Sequence, residues 1–388
     1  MGYFNNVDRQ FLKTRATLKW GKWNDDIISL TVADMDFPAP DAIKNAVIEA
    51  VNEDRTPYSA YAGDPDVLEA VCEKLNRANK IPAKPEDVHM IPGTMFAIFL
   101  ACYYALEPGC EAVICPSPVY PPFLENIENA GGTSVHCSVD LNSGNTLDLE
   151  DLQRRITPKT RIIMLSNPNN PCGLVLTRRE LEGIARIAQD HDLLIFSDEL
   201  YEDMIFEGEH ISIASLESDL FERTITAFGF SKAYGIPGFR IAYITCRGKH
   251  MAAIKKLLHG MIVHADTLAQ AAAKAALLHG GSWLSDFMAH LKKMREYTVQ
   301  RLNSIEGIKC PLPRATPFVF PDVGRFGVSG DRLAQILVEE AGVAVYGGAA
   351  YGPAGKNRIR INFATAKPVL EEAMDRIQAR LALPLTPE

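Results

Sequence analysis

The chain predicts an α/β fold in which a large domain, built on a mainly parallel sheet between helices, carries a smaller α+β domain. Three observations lead there. Short, continuously apolar runs such as Ile162-Ile-Met-Leu165 and Leu193-Leu-Ile-Phe196 read as strands covered on both faces. From Val88 to Phe228 such runs alternate with helical stretches, the order that builds parallel sheets. At 388 residues the chain exceeds one small core and suits one large plus one small domain.

In chain order, the segment before Ile27 has few periodic signals, and Ile27 to Ala33 reads as an extended run ending in Asp34-Met-Asp-Phe-Pro-Ala-Pro40. Asp41 is placed to cap an amphipathic helix through about Asn52, with Ile43, Ala46, Val47, Ala50 and Val51 on one face. Tyr58-Ser-Ala-Tyr-Ala-Gly63 precedes a second helix, Asp66 to Asn79. Val88 onward gives a short strand, a turn at Gly93 and the apolar helix Phe96 to Leu106. Ala112 to Cys115, Ser134 to Ser138 and Arg161 to Leu165 read as strands, separated by helical stretches at Tyr120 to Ala130 and Asp148 to Arg155. A polar loop lies between Ser138 and Asp148. From about Trp283 the texture changes to a long helix ending near Ser304, a segment Ala315 to Val323 and a helix Asp331 to Glu340. Extended runs at Val343 to Tyr346 and Arg358 to Phe363 and a closing helix Lys367 to Leu381 complete the small α+β domain. No repeat or low-complexity linker separates the parts, so the two domains are expected to be tightly joined.

Composition narrows the function. A formal charge of −8 with no basic cluster argues against nucleic acid and anionic membranes as partners. The first residues show neither a basic nor an apolar leader region, and no apolar run is long enough to span a bilayer, so a cytoplasmic location is expected. The eight cysteines are scattered, without a Cys-x-x-Cys pair or a histidine grouping at zinc spacing, so no metal is expected. Only Cys172 falls inside a motif near the expected chemistry, and no base is visible for it.

In open sheets of this kind a ligand lies at the carboxyl ends of the strands. Three polar clusters stand there: Ser166 to Gly173, Asp198 to Tyr201, and Ser231 to Arg240. Lys232 has small, hydroxylated and apolar neighbours. Burial there disfavours the charged amine and suits it to Schiff-base chemistry, although a lone Ser-Lys pair far more often marks a surface lysine. Asp198 alone is a loop acid, or with Glu199 half of a metal site. Gly93-Thr94-Met95 opens a helix whose free N–H groups suit a phosphate, and a glycine there is also an ordinary turn.

The spaced pattern Ser231-Lys232-x-x-Gly235-x-x-Gly238-x-Arg240 is far more specific, and it resembles the cofactor-lysine motif of fold-type I pyridoxal phosphate (PLP) enzymes, the aspartate aminotransferase superfamily. Ser166-Asn-Pro-Asn-Asn-Pro-Cys-Gly173 resembles its Asn-Pro-x-Asn-Pro-x-Gly motif, with Cys172 where threonine is common. The resemblance runs from Ala33 to Ala364. It implies residues 51–285 as a large PLP-binding domain with a seven-stranded sheet, and residues 1–50 and 286–388 as parts of the small domain.

The same resemblance implies roles. Lys232 becomes the Schiff-base lysine and proton shuttle, Asp198 the partner of the pyridine nitrogen, and Asn170 and Tyr201 the donors to the cofactor's phenolic oxygen. Tyr120 would stack on the ring or else be a core aromatic. Gly93, Thr94, Met95, Ser231 and Arg240 would hold phosphate, with Tyr58, rather than Tyr61, reaching across a homodimer interface. Arg360, preferred to Arg358 on the same strand face, would grip the substrate α-carboxylate, with Ala33 and Asn170 beside it. Gly229 stands where relatives carry a hydroxyl, and Ala33 where many carry glycine.

Two halves of the sequence point to different reactions. Ser-Asp-Glu-Leu-Tyr201 and Arg-Ile-Asn-Phe-Ala364 are similar to aminotransferases, implying transfer between an amino acid and a keto acid. Ala33-Asp-Met-Asp-Phe-Pro and Pro-Val-Tyr120-Pro-Pro-Phe resemble cystathionine β-lyases of the MalY/PatB type, implying Cβ–S lysis. Aminotransferase is preferred, because its matches include the groups nearest the cofactor. An eliminating or cyclising enzyme of specialised amino-acid metabolism is a further alternative, with His264 and Asp266 as substrate-side groups. No second arginine stands out for a dicarboxylate.

Overall fold

The computed structural model describes residues 3–24, 26–141 and 146–385, so the polar loop before Asp148 lies partly outside the described residues. The extended run after Ile27 pairs over only two residues, β1 (Ile28–Ser29). Seven strands then form the central sheet. They are β2 (Val88–Ile91), β3 (Glu111–Ser117), β4 (Thr133–Ser138), β5 (Thr160–Ser166), β6 (Leu194–Asp198), β7 (Thr224–Gly229) and β8 (Ala242–Thr245), in the spatial order β2-β8-β7-β6-β5-β3-β4. Strand β8 runs antiparallel to both its neighbours and the other pairings are parallel. This is the mixed, mainly parallel sheet that the β-then-α alternation requires.

Side chains leave alternate faces of these strands, which is why each strand feeds two cores. Met164, Phe196, Ala227 and Ile244 join Ile98, Leu100 and Ala101 of the helix Thr94–Ala105 on one face. Ile163, Leu165 and Ile195 meet Leu181, Ile184 and Ala188 of the helix Arg178–Asp190 on the other. Phe228 and Tyr243 face the helices Pro65–Lys74 and Thr267–His279.

The remaining strands are short: β9 (Phe318–Val319), β10 (Val343–Ala344), β11 (Tyr346–Gly347) and β12 (Ile359–Asn362). An antiparallel sheet has the order β11-β12-β9, and β1 pairs in parallel with β10. One core cluster joins Phe4, Leu12, Trp20, Ile28 and Phe37 to residues of the helices Gly281–Asn303 and Lys367–Leu381.

Several boundaries differ from expectation. The helix Asp41–Asn52 has Pro40 at its cap position, and Asp41 is instead its first residue, paired with Lys44 at 2.5 Å. The expected domain limits at 50/51 and 285/286 fall inside the helices Asp41–Asn52 and Gly281–Asn303. The helix expected to run to Asn79 is α-helical only to Lys74 and finishes as a π-turn, Leu75–Asn79. Among the described residues, no helix is long and apolar enough to cross a membrane.

Candidate active site

The site forms where β5, β6 and β7 end. Leaving β7, the chain turns through Ser231, which is buried, to Lys232, whose Nζ donates to the Ala33 carbonyl at 2.6 Å. Burial is the main cause that brings this amine down to about 8; Arg360 and Arg240 push the same way, and Asp34 and Asp198 oppose them. An amine so placed is neutral over a usable range of pH.

Asp198, the last residue of β6, is buried, and its Oδ1 accepts from the Leu200 N–H at 3.1 Å. Burial, with Glu199 adding to it, pushes this carboxyl up to about 7 despite the Leu200 bond and the nearby Lys232. A carboxylate in this state is stabilised by any cation brought to it. Glu199 is engaged elsewhere. Fully buried, it accepts from Ser197 Oγ at 2.8 Å and Ser212 Oγ at 2.9 Å and pairs with His210 Nε2 at 2.7 Å. Among the described residues, no group of three His, Cys, Asp or Glu is arranged to hold a metal ion.

Arg360, on β12, is 2 % exposed and reaches across from the small sheet. Its Nη1 donates to Asn170 Oδ1 and its Nη2 to the Thr31 carbonyl, both at 3.0 Å. The guanidinium carbon lies 4.3 Å from the Phe318 ring centre and 5.2 and 5.4 Å from those of Tyr346 and Tyr351. Stacking between rings fixes the plane of the fork. The Arg360 Nε is buried without a partner, so the residue retains donor capacity. Arg358 serves otherwise, donating to the Phe320 carbonyl at 2.9 Å and pairing with Asp322 at 3.5 Å.

The segment between these groups is held on both sides. Lys19 and Asp36 form a buried ion pair at 2.9 Å, each side chain 1 % exposed, and Trp20 Nε1 donates to the same Asp36 oxygen at 2.7 Å. From β12, Asn362 Nδ2 donates to the Val32 and Asp34 carbonyls at 2.6 and 2.8 Å. Neither Lys19 nor Asn362 was expected, because a buried polar contact between distant segments leaves no periodic trace in sequence.

A glycine turn opens the helix Thr94–Ala105. No side chain caps its N-terminus, and Gly93 adopts a φ of 91° that side chains rarely tolerate. A Cβ on Gly93 would fall 2.4 Å from Arg240 Nη2, so the guanidinium closes directly over the turn. A Cβ on Gly229 would lie 2.8 Å from Leu200 Cδ1 and 3.1 Å from Thr94 Cγ2, which explains why no hydroxyl residue stands there. Thr94 is buried while Met95 projects outward, and the Tyr120 hydroxyl donates to Met95 Sδ at 3.7 Å. Tyr201 is buried with its ring edge-on to Phe318 at 5.7 Å, and burial raises both the Tyr201 and Tyr120 phenols.

Other candidates lie apart. Tyr58 is 85 % exposed, its ring edge-on to His264 at 5.5 Å. Asp266 is not a substrate-side group but the cap of the helix Thr267–His279, accepting from the Ala269 N–H at 2.7 Å. Burial pushes the Cys172 thiol up to about 12, which leaves it protonated and inert.

A half-buried lysine with a desolvated amine, a buried carboxylate and a glycine turn under an arginine, all at the carboxyl edge of a mainly parallel sheet, fit a fold-type I PLP site. The sequence profile described as "Aminotransferase class I and II" matches residues 25–377, and the chain belongs to that family. It is 35 % identical to aromatic-amino-acid aminotransferase 2 of Thermococcus litoralis, over 91 % of both chains. It is 34 % identical to an aspartate aminotransferase of Pyrococcus abyssi, again over 91 % of each. Among solved structures it resembles an aromatic aminotransferase from Pyrococcus horikoshii, with a TM-score of 0.88, 33 % identity and coverage of 92 % of this chain and 96 % of that one. A PLP-bound putative aminotransferase from Clostridium difficile superposes with a TM-score of 0.90 at 26 % identity, covering 97 % and 99 % of the two chains. The protein is a PLP-dependent aminotransferase.

Proposed function

We propose that the cleft around Lys232 exchanges the amino group of an α-amino acid with a keto acid, and that its residues divide the work as follows. The observation that carries this reading is the convergence of two cationic groups on one short segment. Lys232 Nζ meets the Ala33 carbonyl and Arg360 Nη2 meets the Thr31 carbonyl two residues away. An amino acid lying between the two groups would offer its α-proton to Lys232 and its carboxylate to Arg360.

When bound, PLP supplies an electron sink for the pair left on the α-carbon. Lys232 anchors it and, once displaced by the substrate amine, takes the α-proton on Nζ and returns it elsewhere. An amine brought to about 8 is available as a base near neutral pH. Asp198 would pair with the pyridine nitrogen and stabilise its proton. Asn170 and Tyr201 would donate to the ring oxygen, and Tyr120 would cover the ring. The N–H groups of Gly93, Thr94 and Met95, with Ser231, Arg240 and Tyr58 of the partner subunit, would hold the phosphate. Arg360, supported by Asn170 and the backbone at Ala33, orients the substrate carboxylate so that the α-proton faces Lys232.

We place the cofactor on the unit that contains the seven-stranded sheet, with the two chain ends forming the small unit. A homodimer is part of the proposal. Met95, Phe99 and Tyr103 form an exposed apolar stripe at four-residue spacing on the helix Thr94–Ala105, and Tyr58 stands exposed as well. All eight cysteines are free thiols, which suits the reducing cytoplasm; recovery of the native protein in a membrane or secreted fraction would contradict that placement.

The test is a half-reaction. Purified holoenzyme is mixed with single amino acids, L-cystathionine included, without keto acid. Stoichiometric keto acid with loss of the cofactor's visible band is expected. Continuous release of pyruvate and ammonia with the band retained would replace transamination by Cβ–S lysis.

A further inference from the structure

Behind the site, on the side of the sheet away from the Gly93 turn, lies a closed polar triad that the reaction described above does not use. Glu202 follows Tyr201 directly. One carboxylate oxygen accepts from Lys74 Nζ and the other from Asn79 Nδ2, while Lys74 Nζ also donates to Asn79 Oδ1 at 3.2 Å. The Lys74 and Glu202 side chains are only 14 % and 9 % exposed. Lys74 and Asn79 are five residues apart, a spacing that an ordinary α-helix does not bring together. The π-turn Leu75–Asn79 does so, closing with Lys80 in the left-handed region. A local break in helix geometry is thus spent on a two-handed grip of one carboxylate.

The same ammonium lies 5.2 Å from the centre of the Phe228 ring. Phe228 belongs to β7, four residues before Lys232, and Tyr243 stacks on it at 5.1 Å. Lys74 therefore touches both Glu202, in the loop that follows Asp198 and carries Tyr201, and the strand β7 that leads to Lys232. We propose that Glu202, held by Lys74 and Asn79, is a positioning residue that sets the depth of the Tyr201 phenol against the cofactor's ring oxygen. The two residues share a peptide unit, so a displaced Glu202 carries Tyr201 with it. The neighbouring titratable groups are Asp203, pushed up to about 6 by burial and by Glu202, and His210, raised because its partner Glu199, helped by Glu202, outweighs its burial. Tyr234 and Tyr243, whose phenols burial raises, complete the surround.

This proposal rests on the PLP role of the site, and its test separates the two. A phenol donating to the ring oxygen weakens that oxygen's hold on the proton of the lysine–cofactor linkage. The readout is the pH midpoint of the visible band, measured without substrate. Tyr201→Phe is expected to raise the midpoint by about one pH unit, the scale of one hydrogen bond to a charged group. Glu202→Ala is expected to raise it in the same direction, and Glu202→Gln, which keeps the arms' length, by less. In the Tyr201→Phe background, Glu202→Ala is expected to add nothing, because both act through one phenol. An equal shift in both backgrounds would show a bare charge effect and overturn the proposal, as would an unmoved midpoint. Asn79→Ala, which removes one arm only, carries the same cycle if Glu202→Ala does not fold. Absence of a visible band in the wild type would instead overturn the Lys232 reading.

Discussion

Replacing Arg360 by lysine tests the substrate grip most directly. The guanidinium makes two bonds inside the protein, to Asn170 Oδ1 and the Thr31 carbonyl, and is held flat between aromatic rings. A lysine keeps the charge but offers no planar fork, no ring stacking and too few directed donors to serve both partners and a carboxylate. Loss of one charge-assisted bond to the substrate costs about 1.5–3 kcal/mol. The loss in kcat/KM is therefore on the order of 10- to 10²-fold. The assay is the single-turnover half-reaction with the preferred amino acid, run beside the same amine lacking its carboxylate. Arg360→Lys is expected to impair the amino acid by about that factor and to leave the amine nearly unaffected. A loss below about fivefold, or an equal loss for both compounds, would refute the carboxylate role.

Three further outcomes are expected. In the PLP-free protein, Lys232 sits below its ordinary 10.5, so its contribution to stability is full above that value and is lost as pH falls toward about 8. The thermal midpoint of Lys232→Met, measured against wild type, should therefore show an advantage near pH 8 that disappears by pH 10.5; a pH-independent difference would contradict the buried amine. Gly93→Ala places a methyl 2.4 Å from Arg240 Nη2 at a φ of 91°, and relief requires the guanidinium to leave the turn. Its Kd for PLP, titrated by fluorescence, is expected to rise about tenfold, the equivalent of one lost charge-assisted bond. Phe99→Glu with Tyr103→Glu should convert the protein to monomers in sedimentation velocity, and an unchanged dimer would move the interface elsewhere.

The parts legible in the sequence are those governed by local rules. Continuous apolar runs give the covered strands, and the glycines around Lys232 and at Gly93 mark places where backbone and ligand come close. Lys232, Asp198 and Arg360 stood out because their spacing matches a family pattern, while composition alone left Asp198 an ordinary acid. What remained hidden joins distant parts of the chain. The Lys19–Asp36 pair, the Asn362 bonds to Val32 and Asp34, and the Lys74–Asn79–Glu202 triad produce no periodicity. The π-turn was missed because Leu75 to Asn79 carries no proline or glycine, and only the side chains it serves explain it. Asp266 was ambiguous for a different reason, since a capping aspartate and a substrate-side aspartate look alike before a helix.

The short pairing of β1 with β10 has a consequence for synthesis. It joins residues about 300 positions apart, and Arg360 and Asn362 complete their bonds only on the Thr31 to Asp34 backbone. On the ribosome Trp20, Ile28 and Phe37 emerge about 300 residues before partners such as Val343 and must wait, uncovered, until those are made. The central sheet can assemble as it is made, whereas the substrate-binding edge forms in one late step, when the two ends of the polypeptide meet.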